Sequence, residues 1–183
     1  MSNTLPPPLP PHDLATVTAL LGRDPGRGTT IVATNAQHQP AVLRCYPLRV
    51  PAIKPPEPFP TLSWLLDPDL HHRIADLERL GVIQEVHDLI ARRHDLKDQL
   101  AQAHRNYAQH RWQLLSEPHQ QQAHDLGYTT ALRDTGIAGT NPEHPHALKC
   151  LHAHVAHQLA TGQNPIGRFI MDHFFPAYAV QTT

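Results

Sequence analysis

The chain has 183 residues, 40% hydrophobic but only 5% aromatic, which suits one modest domain with an aliphatic core. Lys+Arg 15 against Asp+Glu 16 leaves a formal net charge of −1, so the broad basic field that non-specific nucleic-acid binding draws on is absent. No apolar run approaches the roughly 20 residues that cross a bilayer, and Met1-Ser2-Asn3-Thr4-Leu5 lacks the basic start and apolar stretch of a secretory signal, so a cytosolic protein is expected.

Residues 1–11, MSNTLPPPLPP, read as an extended, disordered Pro-rich arm. Leu14, Val17, Leu20 and Leu21 then fall at helical spacing, with Asp13 as N-cap and Gly22 as stop. After a turn at residues 23–28, the β-branched stretch 29–34 reads as a strand and residues 40–46 as its hairpin partner. A proline-punctuated loop covers residues 47–60, and residues 61–66 suggest a third short strand. Asp67-Pro68 is a helix start, a cap followed by proline in the first turn. Leu70, Ile74, Leu77 and Leu80 form the stripe of that helix, and Gly81 stops it. Val82, Ile83, Val86, Leu89 and Ile90 mark a second helix, and residues 95–115 a longer third. Residues 117–141 read as loop, 144–161 as a helix ended by Gly162, and 166–178 as a short apolar helix.

The expected fold is α+β, with a small antiparallel sheet of two or three strands in the N-terminal third, packed against a mainly helical remainder. One globular domain would span residues 12–179 and a tail residues 180–183.

The 16 histidines equal the whole acidic count, so mild acidification turns the net charge positive. Cys45 and Cys150 lie far apart, without a CxxC spacing, and are expected as thiols. In residues 146–157, HALKCLHAHVAH, a continuous helix would put Cys150, His154 and His157 on one face at i, i+4 and i+7. A thiolate and two imidazoles make a partial zinc or iron site, which Cys45, His104 or His38 would have to complete. The plainer alternative is a buried apolar cysteine among core-edge and surface histidines. The same segment offers catalytic candidates: Cys150 as a nucleophile beside Lys149, with His152 or His157 as acid/base. A third pattern suits an anion. His104, Tyr107 and Arg111 follow one helix face at i, i+3 and i+7, while Arg23, Lys149 and Asn164 each adjoin a Gly- or Pro-marked turn. The ordinary role of such groups is solvation or weak surface pairing.

Five segments carry a family resemblance. They are Leu21-Gly22-Arg23-Asp24-Pro25; Pro58-Phe59-Pro60-Thr61-Leu62; Ala103-His104 with Tyr107 and Arg111; Lys149-Cys150-Leu151-His152 with Ala156-His157; and Asn164-Pro165-Ile166-Gly167. Together they resemble the bacterial proteins catalogued as domain of unknown function 501. The resemblance brings no activity with it, but it implies that Arg23, His104, Tyr107, Arg111, Lys149, Cys150, His152, His157 and Asn164 are the polar positions that matter. It favours His152 and His157 over His154, where the family pattern is apolar. It also implies an Arg-Cys and a Gly-x-Pro between the first two strands, where this chain reads Thr34-Asn35-Ala36-Gln37-His38-Gln39-Pro40, without the cysteine or the glycine.

Three function classes follow as expectations. The first is a binding or regulatory module whose pocket, lined by His104, Arg111, Lys149 and His152, takes a small anionic ligand or a protein partner's acidic group. The second is a hydrolase or transferase on a phosphorylated or carboxylated substrate, metal-assisted through Cys150 and His157. The third is a scaffold whose polar residues satisfy buried backbone.

Overall fold

The computed structural model describes residues 6–51, 54–144 and 147–182. β1 (Thr30–Asn35) and β2 (Pro40–Arg44) form the expected hairpin. Its turn is held by Asn35, whose N–H donates to the Gln39 carbonyl at 2.9 Å and whose Oδ1 accepts from the Gln37 and Gln39 amides. His38 closes that turn in the left-handed region, at φ 60°. β3 (Leu48–Arg49) and β4 (Glu57–Pro58) pair as a separate ribbon inside the expected loop. β5 (Ser63–Leu65) lies against β2, giving the third strand.

A fourth strand comes from the expected tail. β6 (Val180–Thr182) pairs antiparallel with β1, so the sheet order is β5-β2-β1-β6. The open edge of β1 is what recruits this segment, because unpaired strand N–H and C=O groups take a partner when one is within reach.

Alternation along β1 and β2 sends side chains to two layers. Ala33 and Val42 face the main core beneath α6 (Leu151–Thr161), whereas Leu43 and Cys45 join Leu9 and Val17 on the side of α1 (Pro11–Leu21). Leu9 is buried, and the Pro7 carbonyl accepts the Gly28 N–H at 3.2 Å. The Pro-rich arm is therefore packed from Pro6 onward, since its leucine has apolar surface to cover; residues 1–5 lie outside the described residues.

α2 (Pro68–Arg79), α3 (Val82–Arg92) and α4 (His94–Leu114) follow as the sequence predicts. Asp67 caps α2 by accepting the Leu70 N–H at 2.9 Å, and its other oxygen accepts from Asn35 and Tyr178, tying helix to sheet. Residues 117–141 differ from the loop expected there. They hold α5 (Glu117–Asp125), a π-helical segment Thr130–Asp134 and a 3₁₀ turn Ile137–Gly139. Only His119 and Ala123 of α5 are buried, so no apolar stripe announced it.

The helix expected from residue 144 begins at Leu151 instead, because residues 147–150 are not helical and Cys150, itself extended, takes the N-cap position; His146 lies outside the described residues. α7 (Pro165–Phe174) packs on α6, and Gly167 permits their contact: a Cβ there would stand 2.3 Å from the His154 carbonyl oxygen. No helix among the described residues is long and apolar enough to cross a membrane.

Candidate functional site

The expected polar residues separate into distinct places. The α4 group is internal. Arg111 is fully buried and, among the described residues, hydrogen-bonds no carboxylate; Nε donates to the Leu132 carbonyl at 2.7 Å and Nη1 to the Pro60 carbonyl at 2.9 Å. Nη2 donates to the carbonyl and hydroxyl of Thr135. Burial pushes its pKa down from the usual arginine value. Tyr107 accepts the Leu62 N–H at 2.6 Å through its hydroxyl, and His104 Nδ1 accepts the Ile137 N–H at 3.1 Å. These three side chains pin residues 60–62 and 132–137 onto α4. Arg111 and His104 therefore do not line an open cleft with Lys149 and His152.

A second cluster joins α6 to α7. Asn164 caps α7 by accepting the Gly167 N–H on Oδ1 at 2.8 Å. That backbone bond fixes the amide orientation, so Nδ2 faces Nδ1 of both His154 and His157 at 3.2 Å. With two hydrogens to give, it donates to both, which places each ring proton on Nε2. Among the described residues His154 Nε2 then has no hydrogen-bond partner. Burial, with the charges of His104 and His157 against it, pushes His154 down to about 3. Burial, with His110 and His104, pushes His157 down to about 4. His157 borders a small pocket of about 280 Å³ with Tyr107, His110 and Arg44. There its neutral ring offers a donor, since the nitrogen with the lone pair is occupied by Asn164.

Cys150 lies apart from His154 and His157 and meets different partners. Its Sγ is 3.9 Å from His152 Nδ1, which is 3.2 Å from Glu78 Oε1. That carboxylate reaches across from α2 and accepts the Leu151 N–H at 2.6 Å, satisfying the first turn of α6. His152 Nε2 donates to the His71 carbonyl at 3.0 Å. Burial opposes charge on His152, but Cys150, the His71 carbonyl and Glu78 outweigh it and push the group up to about 9. Lys149 is turned away and donates to the Gly139 carbonyl at 3.0 Å on the exposed side.

A larger cleft lies elsewhere, about 630 Å³ between the turn after α1 and the β3–β4 ribbon. Its walls are mostly apolar, including Leu14, Cys45, Tyr46, Leu48 and Phe59; Arg27, Arg49 and Lys54 line it together with the carboxylates of Asp24 and Glu57, the latter opposite Arg49 in the ribbon. The Arg49 guanidinium sits 4.0 Å over the Phe59 ring; Phe59 stacks on Trp64 at 6.1 Å, and Arg23 covers Trp64 at 5.4 Å. Burial and then the Arg23 charge push the Arg49 pKa down. Among the described residues Arg49 has no ion pair. The Asp24 carboxylate in the cleft accepts the Gly26 N–H at 2.7 Å and shapes the turn. Burial pushes the Cys45 thiol up to about 11, leaving it unreactive at neutral pH.

Arg23 alone of the expected anion-binding residues stands beside this cleft. Arg49, Glu78 and His71 were missed by sequence reasoning: Arg49 sits among prolines without periodicity, and Glu78 and His71 meet α6 only through the fold. Phe59 was visible, as part of the Pro58-Phe59-Pro60 segment.

No curated protein and no solved structure matches the chain. The family model described as "Protein of unknown function (DUF501)" matches residues 31–172, a span that takes in α4, the Cys150–His152 segment, His157 and Asn164. The chain belongs to this DUF501 family.

Proposed function

We propose that the protein is a binding module that holds a small anionic ligand in the cleft between the turn after α1 and the β3–β4 ribbon. The observation that carries this reading is Arg49, a half-buried guanidinium held over Phe59, with a second guanidinium, Arg23, pressing on it and, among the described residues, no ion pair, although Glu57 faces it across the β3–β4 ribbon. Three cations against two carboxylates in a mostly apolar cleft favour a ligand that brings negative charge to Arg49 and a flat apolar portion to lie on the walls. Lys54 and Arg27 add long-range attraction at the rim.

Thermal melts with inorganic phosphate, pyrophosphate and a nucleoside monophosphate test it. At least one should raise the midpoint of the wild-type chain, by linkage of binding to folding, and Arg49→Ala should lose that rise. No rise with any of the three, or one equal in Arg49→Ala, sinks the reading.

A scaffold role has its own support in Arg111, Tyr107, His104 and Asn164, whose polar atoms go to backbone or to one another. It accounts for those four residues but not for Arg49, whose guanidinium lies over Phe59 in the cleft.

A further inference from the structure

We propose that Glu78, Cys150 and His152 form a site for one divalent transition metal, with zinc as the best match. Among the described residues this is the set of three metal-ligating side chains whose donor atoms lie within 4.8 Å of one another. It is separate from the anion cleft and owes nothing to that reading.

The spacing suits the metal. Zinc bonds of about 2.3 Å to sulfur and about 2.0 Å to nitrogen or oxygen, arranged tetrahedrally, put nitrogen and oxygen about 3.3 Å apart and sulfur about 3.5 Å from nitrogen. The observed separations are 3.2 Å for Nδ1 to Oε1 and 3.9 Å for Sγ to Nδ1. The third separation, from Sγ to the carboxylate, lies within 4.8 Å, and all three side chains are only partly buried, so rotation of Cys150 and Glu78 can bring the donors onto one centre.

Orientation is the second argument. A metal-binding histidine commonly donates its other N–H to a carbonyl or carboxylate, which fixes the ring and its tautomer. His152 does this: Nε2 donates to the His71 carbonyl, so Nδ1 faces Sγ and the carboxylate. Glu78 is held as well, by the Leu151 N–H at the start of α6. Cys150 stands at the N-cap, outside the helix proper, where its thiol is partly open to solvent.

Thiolate, imidazole and carboxylate together favour zinc over magnesium or calcium, which take oxygen donors. A metal takes the thiolate and an unprotonated imidazole nitrogen, so its binding weakens as the pH is lowered. Three protein ligands leave a fourth position for water or another donor, as in zinc centres that bind or activate small molecules.

The test is a cobalt(II) titration of the full chain made without an affinity tag, following the near-ultraviolet thiolate-to-cobalt charge-transfer band. That band ignores weak cobalt on surface histidines. It should saturate at one equivalent, collapse when one equivalent of zinc is added, vanish in Cys150→Ser and persist in Cys45→Ser. Glu78→Gln keeps both thiols, so a weaker, right-shifted titration in that variant reads the site even if Cys150→Ser folds poorly. A wild-type titration without the band, or a band that survives Cys150→Ser, overturns the site.

Discussion

Asn164 donates through Nδ2 to Nδ1 of His157 at 3.2 Å, while its Oδ1 caps α7 through the Gly167 N–H. One side chain thus sets a helix start and the tautomer of a buried imidazole. Replacing it with alanine removes the cap and leaves the Nδ1 atoms of His154 and His157 without a donor. A loss of about 3 kcal/mol is expected, measured as a lower urea midpoint with an unchanged slope.

Acid should unfold the protein through the same cluster. His154 and His157 are pushed down to about 3 and about 4 from the ordinary 6.5. Between those limits the unfolded chain takes up protons that the folded chain refuses. Their stabilising contribution is therefore complete above about pH 6.5 and is lost as pH falls toward 4, at about 1.4 kcal/mol per pH unit for each histidine. Asn164→Asp keeps the cap but sets a carboxylate beside the two Nδ1 atoms, so its acid midpoint should move to lower pH. Denaturation followed by circular dichroism between pH 7 and pH 4 checks both; a flat stability profile would count against the buried neutral pair.

Gly167→Ala should be costly although the position is helical and alanine favours helices. The new methyl meets backbone, 2.3 Å from the His154 carbonyl oxygen, and 2.5 Å from the Gln158 Cβ. The two helices must part, at about 2–3 kcal/mol. A melting temperature equal to that of the wild type would show that the α6–α7 contact can give way.

Arg111→Lys is conservative in charge only. The guanidinium reaches the Leu132, Pro60 and Thr135 carbonyls from three nitrogens in one plane, and an ammonium on a flexible stem cannot span that fork. About 3 kcal/mol should be lost, with faster proteolysis between residues 126 and 140.

His38→Gly should act in the opposite direction. His38 occupies the left-handed region at φ 60°, where glycine carries no steric penalty. A gain of about 1 kcal/mol is expected in the same urea assay. The Gly-x-Pro that the family resemblance implies would, with Pro40 in place, put its glycine at this turn position.

The legible parts of the fold are those written locally. Asp67-Pro68 announced α2, and Gly22 and Gly162 mark the ends of α1 and α6 because each takes the left-handed conformation that stops a helix. Val180 gave no sign of being in a strand, since its partner Asn35 is brought beside it only by folding. The polar positions were legible as a set, and their chemistry was not. Helical spacing grouped Cys150 with His154 and His157, but the helix starts at Leu151, which leaves Cys150 with Glu78 and His152. Asn164-Pro165-Ile166-Gly167 is now readable as cap, first-turn proline and close approach. Arg49 had no neighbours in sequence to mark it, because Phe59 and Trp64 reach it through the β3–β4 ribbon and β5.

The pairing of β6 with β1 has a consequence for how the chain is made. The β1–β2 hairpin and β5 leave the ribosome early, and β1 then waits with one edge bare until residues 180–182 arrive. Throughout that interval its outer N–H and C=O groups are open to any extended segment, including the same strand of a neighbouring nascent chain. Crowded translation is therefore the moment at which this protein is most exposed to mispairing, and slow synthesis of α2 to α7 would lengthen it.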